Sequence, residues 1–177
     1  MKFGKFILSI FTFGLIACQA NPDNLKYERN YLKGLEISAE LNKPILIHFT
    51  GWGCVSYDEF KYDLITSREI QERLNNEFVT VQLYVDDRNE IQVIDTMNLH
   101  KIEFTEKGKE RIRKAKTIGN INAVIETDLF ESNSQPLYVI IDSKRNILIE
   151  PFGYTHRNRK YFLAKLDEGI RKFKKKK

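Results

Sequence analysis

Two cysteines are the strongest nucleophiles of this chain, and each lies just after an apolar run. Cys54 ends the sequence Gly51-Trp52-Gly53-Cys54, and Cys18 ends a hydrophobic stretch near the N-terminus. A thiolate attacks disulfides, and a cysteine sulfur is also a site of covalent modification. We therefore treat Cys54 as a candidate nucleophile and Cys18 as a candidate modification site.

The residues before Cys18 have the pattern of an export signal. Lys2 and Lys5 make the start of the chain basic, and Phe6–Ala17 is an apolar run too short to span a bilayer comfortably. Leu15-Ile16-Ala17-Cys18 resembles the lipobox of bacterial lipoproteins, in which the cysteine is acylated with fatty acids such as palmitate and becomes the first mature residue. The alternative is an ordinary cleaved signal with a chance cysteine.

This interpretation divides the chain into a signal peptide (1–17), a lipid-anchored tether (18–26) and a folded domain (27–177). It predicts a protein of the bacterial cell envelope that is anchored to a membrane and faces the periplasm or the exterior. If Cys18 carries lipid, Cys54 has no cysteine left to pair with, because the chain contains only these 2 cysteines. An unpaired cysteine in an oxidising compartment is either a reactive thiol or a buried remnant.

Composition excludes several other classes of function. Hydrophobic residues make up 42% of the chain, a globular balance, and the net charge of +5 arises largely at the two ends. No basic stripe interleaved with aromatic residues occurs in the body of the chain, so we expect no nucleic-acid partner. The sequence also lacks a phosphate-binding glycine loop, a nucleophile elbow and a dinucleotide fingerprint. We expect no cofactor.

The elements that must position Cys54 are predicted from hydrophobic periodicity. Residues 27–42 have the pattern of an amphipathic helix, whose apolar face would contain Tyr31, Leu32, Leu35, Ala39 and Leu41. Ile45–Thr50 is a nearly continuous apolar run, typical of a strand buried on both faces. A helix is predicted to begin at Cys54.

The next part of the chain predicts a helical crossover and a second strand. Thr66–Glu69 matches a capping box that opens a further helical turn through Ile70 and Leu74. Phe78–Val85 predicts another buried strand. The charged segment Lys101–Lys116 suits a surface hairpin or an insertion, and residues 118–130 suit a helix.

Three further elements complete the predicted fold. These are a strand over Leu137–Ile141, a strand over Ile147–Glu150 after a short turn, and a helix over about Arg159–Phe173. A helical crossover makes the first two strands parallel, and a short turn makes the last two antiparallel. The expected fold class is α/β, with a mixed central sheet flanked by helices and an insertion between the second and third core strands.

Three separated segments resemble thioredoxin-fold proteins, most of all the C-terminal reductase domain of DsbD-type thiol:disulfide interchange proteins. Residues 43–57, Lys-Pro-Ile-Leu-Ile-His-Phe-Thr-Gly-Trp-Gly-Cys-Val-Ser-Tyr, resemble the active-site strand and loop. Phe78–Asp87 is similar to the strand that ends Leu-Tyr-Val-Asp-Asp, and Gln135–Tyr138 is similar to the cis-proline loop. The resemblance covers roughly residues 25–173 and implies a thioredoxin fold.

The resemblance also assigns roles to individual residues. Cys54 is the implied catalytic nucleophile, and its place at a helix start favours the thiolate. Trp52, Gln135 and Pro136 are the implied substrate-binding residues. A cis Pro136 would place the backbone of Gln135 beside Cys54 as an edge for an extended peptide. Plain packing of Trp52 and a trans proline that ends a loop are the alternatives.

Two positions depart from the family pattern. Tyr57 stands where the second, resolving cysteine is expected, so Cys54 can form a mixed disulfide but cannot resolve it alone. His48 stands where the family has a buried aspartate that serves the resolving cysteine. His48 could pair with Cys54 as a Cys–His couple, or it could be a buried, neutral, hydrogen-bonded strand histidine, which we favour. We expect no metal site, because no set of ligands has a suitable spacing.

Two functions fit these observations. The first is a lipid-anchored oxidoreductase with a single reactive thiol, in which Cys54 reacts with a protein disulfide or thiol partner and an external thiol regenerates it. The second is a redox-inactive binding protein that holds a partner peptide in a groove beside Trp52 and Pro136. The sequence does not predict the oligomeric state.

Overall fold

The computed structural model describes residues 25–54, 67–96, 99–153 and 158–176. The strands of this part are β1 (Ile45–Thr50), β2 (Val79–Tyr84), β3 (Leu137–Ile141) and β4 (Phe152–Gly153). The helices are α1 (Tyr31–Leu41), α2 (Arg68–Glu77), α3 (Val93–Thr96), α4 (Glu106–Lys114), α5 (Ile118–Leu129) and α6 (Arg159–Lys175), with a short 3-10 turn at Leu99–Lys101. Within the described ranges, no helix is both long and apolar enough to span a membrane.

The four strands form one mixed sheet in the order β2-β1-β3-β4. β1 is parallel to β2 and antiparallel to β3, and β3 is antiparallel to β4. All residues of β1, β2 and β3 are buried, as expected for strands covered by helices on both faces. The predicted α/β class, the mixed sheet and the insertion between the second and third strands are confirmed.

The outer edge of β2 is covered by the chain segment that precedes α1. The backbone N–H of Glu28 donates to the carbonyl of Thr80 at 2.9 Å, and the N–H of Gln82 donates to the carbonyl of Glu28 at 2.8 Å. These two bonds form a single parallel β-bridge. Part of an otherwise open sheet edge is therefore paired within the same chain.

Helices pack on both faces of the sheet and create two hydrophobic clusters. The first lies between the sheet and α1 and α5, and it includes Ile47, Phe49 and Ile125. The second lies between the sheet and α2 and α6, and it includes Tyr138 and Phe162. Side chains alternate between the faces of β1, so His48 lies on the same side as the second cluster.

The first helix is shorter than predicted, and only part of its predicted apolar face is buried: Tyr31 is buried, and Leu32 and Leu35 are partly buried against the first cluster. It begins at Tyr31 because the side chain of Asn30 caps it by accepting from the N–H of Lys33. Its buried positions are Tyr31, Gly34 and Ser38, whereas Leu41 is 52% exposed. A Cβ at Gly34 would overlap the Val81 side chain, so the absence of a side chain there lets the helix lie close to β2.

Three local predictions are corrected by the structure. The cap of α2 is Ser67, whose side chain accepts from the N–H of Ile70. The charged segment 101–116 belongs to the insertion and contains helix α4, with Thr105 as its cap, so the hairpin alternative is wrong. The strand predicted at Ile147–Glu150 is wrong, since only Ile147 forms a bridge, to Ile141.

The last correction has a physical reason. The Asp142 carboxylate accepts from the backbone N–H groups of Lys144 and Asn146, both at 2.9 Å, and this tightens the turn. Leu148 and Ile149 are buried in the second cluster without forming a ladder. These two residues are apolar because they fill core space, and pairing resumes only at β4.

Candidate active site

The candidate nucleophile lies in the short segment that leaves the end of β1. The N–H of Val85 donates to the carbonyl of Thr50 at 2.9 Å, which extends the β1–β2 pairing to the last residue of β1. The chain then turns, and the N–H of Cys54 donates to the carbonyl of Gly51 at 3.2 Å. Cys54 is partly exposed, and its thiol forms no disulfide within the described ranges. The turn thus presents this thiol at the surface.

Trp52 forms an exposed but anchored aromatic surface beside this thiol. Its ring lies 4.0 Å from the ring of Tyr84, centroid to centroid, with only 18° between the planes. Its backbone N–H donates to both carboxylate oxygens of Asp86, at 3.1 and 2.9 Å. The residue is nevertheless 68% exposed. Trp52 is therefore fixed at its backbone and on one ring face while much of its surface stays open to a partner.

Gly51 makes this anchoring possible. A Cβ at Gly51 would lie 3.1 Å from Oδ2 of Asp86, which is closer than most side chains tolerate. The absence of a side chain lets the carboxylate reach the neighbouring N–H of Trp52. The glycine before the tryptophan thus serves the close approach of β1 and β2 at their ends.

A cleft of about 400 Å³ borders the stacked rings. Its lining includes Arg29, Gln82, Asn122 and Ile125 in addition to Trp52 and Tyr84. The Arg29 guanidinium carbon lies 4.9 Å from the centre of the Tyr84 ring, within range of a cation–π contact. The cleft therefore combines an apolar wall, amide groups, the Arg29 cation and the acidic residue Asp87.

The cis-proline loop lies at the same end of the sheet as Trp52. The β1–β3 register pairs Phe49 with Leu137, so the next position along places Pro136 opposite Thr50. The Gln135–Pro136 peptide bond is cis. Pro136 is buried and Gln135 is half-buried. The register thus brings the sequence-predicted residues Gln135 and Pro136 to the end of β1 that leads into Cys54.

Glu126 lies behind this loop, in the last part of α5. The Phe130 ring, just beyond the helix, packs against Phe49 of β1 at 5.7 Å and ties the helix end to the sheet. Oε2 of Glu126 accepts from Nε2 of Gln135 at 2.7 Å, although the Glu126 residue is only 1% exposed. Burial raises the pKa of Glu126 to about 7, and the bonds from Gln135 and the Ser134 backbone only partly oppose this.

His48 is buried within the sheet. It is 1% exposed, its Nδ1 lies 3.3 Å from Nε2 of Gln82, and its ring stacks on Tyr138 at 4.5 Å with 10° between the planes. The pKa of His48 is lowered to about 3, mainly by burial and also by the positive charge of Arg29. A histidine with this pKa is neutral at physiological pH and is a weak base, which argues against a Cys–His couple.

Several predicted site features fall outside the described residues. Among them are the acylation site Cys18, the replaced position Tyr57 and the helix predicted to begin at Cys54. Within the described ranges, no group of three or more potential metal-binding side chains occurs.

Tyr84, Asp86 and Glu126 also belong to the site, and none of them is predicted from the sequence. Asp86 was interpreted only as the end of a strand, yet its carboxylate holds the backbone of Trp52. The position of Glu126 in the sequence is the one signal that could have identified it. Glu126 directly follows the apolar run Ala123-Val124-Ile125, on a helix that must cover the sheet. A charged residue that follows such a run is a candidate for a buried polar role.

Comparison with known proteins gives structural matches only. No protein-family model and no curated protein sequence matches this chain. A solved structure described as DsbH oxidoreductase is similar, with a TM-score of 0.56, 18% identity, and coverage of 95% of this chain and 94% of that chain. A thioredoxin from Thermus thermophilus is also similar, with a TM-score of 0.51, 15% identity, and coverage of 82% of this chain and 86% of that chain. At these identities the likeness concerns the fold, and the chain has a thioredoxin fold.

Proposed function

We propose that this protein is a lipid-anchored oxidoreductase of the bacterial cell envelope that acts through the single thiol of Cys54. The observation that carries the proposal is the position of this thiol. Cys54 is partly exposed, two residues from the exposed ring of Trp52, at the sheet end where Gln135 and Pro136 also lie. A nucleophile, an aromatic contact surface and a backbone edge thus lie at one end of the sheet. The structural likeness to a protein described as an oxidoreductase agrees with this proposal.

The proposed chemistry needs an external thiol at two steps. The Cys54 thiolate attacks one sulfur of a substrate disulfide, a mixed disulfide forms, and the other substrate sulfur leaves as a thiolate that takes up a proton. An external low-molecular-weight thiol then attacks the Cys54 sulfur and releases the second substrate thiol. Cys54 is now in a mixed disulfide with the external thiol. A second external thiol attacks the external sulfur of this disulfide and releases Cys54 as a thiol. The substrate gains two electrons, and two external thiols become one disulfide.

The absence of a second cysteine makes the external thiol necessary. Tyr57 occupies the position at which a resolving cysteine is expected, and it has no thiol to attack the mixed disulfide. His48 cannot replace the family's buried acid as a base, because its pKa of about 3 leaves it weakly basic. The lipid anchor at Cys18 would hold this chemistry at a membrane surface.

A redox-inactive binding protein is the second candidate. The specific observation in its favour is that Trp52 is held by Tyr84 and Asp86, without any contribution from the Cys54 thiol. A partner peptide could therefore bind to this surface without any bond to sulfur. This candidate predicts that binding survives the loss of the thiol.

One experiment separates the two candidates. The purified full-length protein is reduced, incubated with a disulfide-linked peptide and glutathione, and analysed for mixed disulfides and for peptide thiols formed over time. The oxidoreductase produces a mixed disulfide at Cys54 and repeated turnover, and the Cys54→Ser variant produces neither. Peptide binding by both proteins without a mixed disulfide in either would instead support the binding protein.

A further inference from the structure

A buried carboxyl group lies directly behind the proposed peptide edge and has no part in the thiol chemistry described above. Glu126 is 1% exposed, and within the part of the chain that the structure describes its Oε1 has no hydrogen-bond partner. Its other oxygen, Oε2, is bound by the side chain of Gln135 at 2.7 Å. A buried carboxyl with one unsatisfied oxygen is costly when it is ionised, so it calls for a physical explanation.

The contact with Gln135 links this carboxyl to the edge. Gln135 immediately precedes the cis Pro136, and its side-chain amide is turned inward toward Glu126. Because the side chain is held from behind, the backbone of Gln135 is the part that an extended peptide can pair with. The position of this backbone therefore depends on the bond between Glu126 and Gln135.

Other charged groups near α5 are bound elsewhere. Asp128 accepts from the N–H and the hydroxyl of Thr105, and Arg111 of α4 donates to the hydroxyl of Thr127 at 2.6 Å. On the sheet, the titratable residues of the described strands are His48, Tyr84 and Tyr138, and His48 and Tyr138 lie on the face covered by α2 and α6.

The remaining neighbours do not supply a charge either. Tyr31 of α1 belongs to the same hydrophobic cluster, and burial raises its pKa to about 12, which keeps its hydroxyl neutral. Glu131, in the loop between α5 and Gln135, is exposed. Among the described residues, therefore, no cation acts on the protonation of Glu126, and burial is the main influence.

We propose that Glu126 is a positioning residue whose proton keeps Gln135 in place for binding of a substrate peptide, so that peptide disulfides are selected best when Glu126 is neutral. This inference rests on the proposed function at Cys54. The donors Gln135 and Ser134 favour the carboxylate, but burial without a donor at Oε1 opposes its charge more strongly, so the side chain stays buried in contact with Gln135 when it is neutral. The carboxylate needs a further donor at Oε1, so water enters or the side chain moves outward, and the Gln135 backbone shifts with it.

The pH at which this change occurs follows from the same burial. The pKa of Glu126 lies at about 7, so the carboxyl changes its protonation in the neutral range. The expected result is a loss of preference for peptide disulfides above neutral pH. Small disulfides that do not contact the Gln135 backbone are not affected by this loss.

The test compares two disulfides across this pH range. The rate at which Cys54 reacts is measured with an extended peptide that carries a disulfide and with hydroxyethyl disulfide. Both rates depend in the same way on ionisation of the Cys54 thiol, so the ratio of the two rates does not depend on that ionisation. In the wild type we expect the ratio to fall about five-fold as pH rises through about 7, corresponding to the loss of one ordinary hydrogen bond.

Two variants complete the test. Glu126→Gln replaces the carboxyl by an amide, which does not titrate. The ratio of the two rates in this variant should therefore not depend on pH. Glu131→Gln removes an exposed carboxylate of the neighbouring loop, and its ratio should follow the wild type. A wild-type ratio that does not change with pH, or a change that persists in Glu126→Gln, overturns the inference.

A second measurement keeps the inference testable if Glu126→Gln does not fold or if Cys54 proves unreactive. The backbone amide resonances of Ser134 and Gln135 in the wild-type protein should shift with pH, with a midpoint near 7. If neither disulfide reacts, the proposed function fails, and a shift of these resonances still supports the positioning role. Resonances that do not titrate overturn it, whatever the reactivity of Cys54.

Discussion

The indole ring of Trp52 lies nearly parallel to the phenol ring of Tyr84, with 4.0 Å between the ring centres. Trp52 belongs to the loop after β1, whereas Tyr84 is the last residue of β2, which is the parallel neighbour of β1. The contact therefore connects the candidate active-site loop to a rigid strand. Because Trp52 is the only tryptophan of the chain, tryptophan fluorescence reports on the surroundings of this one residue.

We expect replacement of Tyr84 by leucine to loosen Trp52 and to weaken partner binding. Stacked aromatic pairs contribute about 1 kcal/mol beyond the area they bury, which corresponds to a roughly five-fold loss of affinity. The measurements are the steady-state anisotropy of Trp52 and the affinity for a test peptide. Tyr84→Phe retains the ring and should behave like the wild type. Equal anisotropy in Tyr84→Leu and Tyr84→Phe would contradict the role of the stack.

The sheet could be predicted from the sequence because its strands carry their own signal. Ile45–Thr50 and Leu137–Ile141 were predicted with the observed bounds, since strands covered on both faces are continuous apolar runs. The strand predicted at Ile147–Glu150 is wrong because an apolar run can also occur where the chain fills the core without pairing. Leu148 and Ile149 are apolar because they fill the core. Hydrophobic periodicity does not distinguish such residues from those of a paired strand.

The site could be predicted only in part. Trp52, Cys54 and Pro136 were found because they lie in segments that resemble a known family. The supporting contacts of Asp86 with Trp52 and of Glu126 with Gln135 join residues 34 and 9 positions apart. Such contacts depend on the register of β1 against its neighbours and on the end of α5, and a single sequence contains no direct signal for them.

The proposed lipid anchor at Cys18 predicts where the protein is found. A cysteine with two acyl chains binds stably to membranes, whereas a single chain binds only marginally. We therefore expect Cys18→Ser to move the protein from the membrane fraction to the soluble fraction. The measurement is fractionation of cell lysates followed by immunoblotting, with Cys54→Ser as a matched cysteine control that should stay with the membrane. Sedimentation of Cys18→Ser with membranes after a high-salt wash would contradict the lipoprotein interpretation.

Restoring the second cysteine should restore dithiol chemistry. Tyr57→Cys re-creates the Cys-X-X-Cys spacing, so we expect a disulfide with Cys54 under mild oxidation and a measurable gain in insulin reduction. Adding His48→Asp should raise the activity further, because a buried carboxylate can accept the proton of the resolving thiol. The measurements are the mass of the oxidised protein and the rate of insulin reduction.

Stability must be compared before these activities are scored. Loss of the His48 ring removes its stacking on Tyr138, and a smaller side chain in a buried site can cost about 2–4 kcal/mol. His48→Asp alone is the matched control, since it lacks the second thiol and should gain no insulin reduction. A folded Tyr57→Cys protein that forms no disulfide with Cys54 would count directly against the proposed active site.

His48 and Glu126 should influence stability in opposite directions over the same pH range. The pKa of His48 is lowered from 6.5 to about 3, so between these values the unfolded chain binds one more proton, and the free energy of unfolding rises with pH. The pKa of Glu126 is raised from 4.5 to about 7, so the folded chain binds one more proton there, and the free energy of unfolding falls with pH. Between about 4.5 and 6.5 the two contributions cancel.

Single substitutions should reveal each contribution. One proton corresponds to about 1.4 kcal/mol per pH unit, so over about two pH units each effect amounts to at most about 3 kcal/mol. Relative to the wild type, Glu126→Gln should gain stability as pH rises from about 4.5 to 6.5, and His48→Gln should lose it. The measurement is denaturant-induced unfolding at several pH values, from which the free energy of unfolding is obtained.

The double variant provides the internal check. In the double variant, Glu126→Gln with His48→Gln, neither residue titrates, so the dependence of stability on pH should return to that of the wild type. The substitutions can lower the free energy of unfolding by a constant amount without changing this dependence. Glu131→Gln, which alters an exposed carboxylate in the same loop as Gln135, should leave the wild-type slope nearly unchanged. If both single variants keep the wild-type slope, then neither His48 nor Glu126 has the displaced pKa that burial assigns to it. The arguments against a Cys–His couple and for a neutral Glu126 behind Gln135 would then fail together.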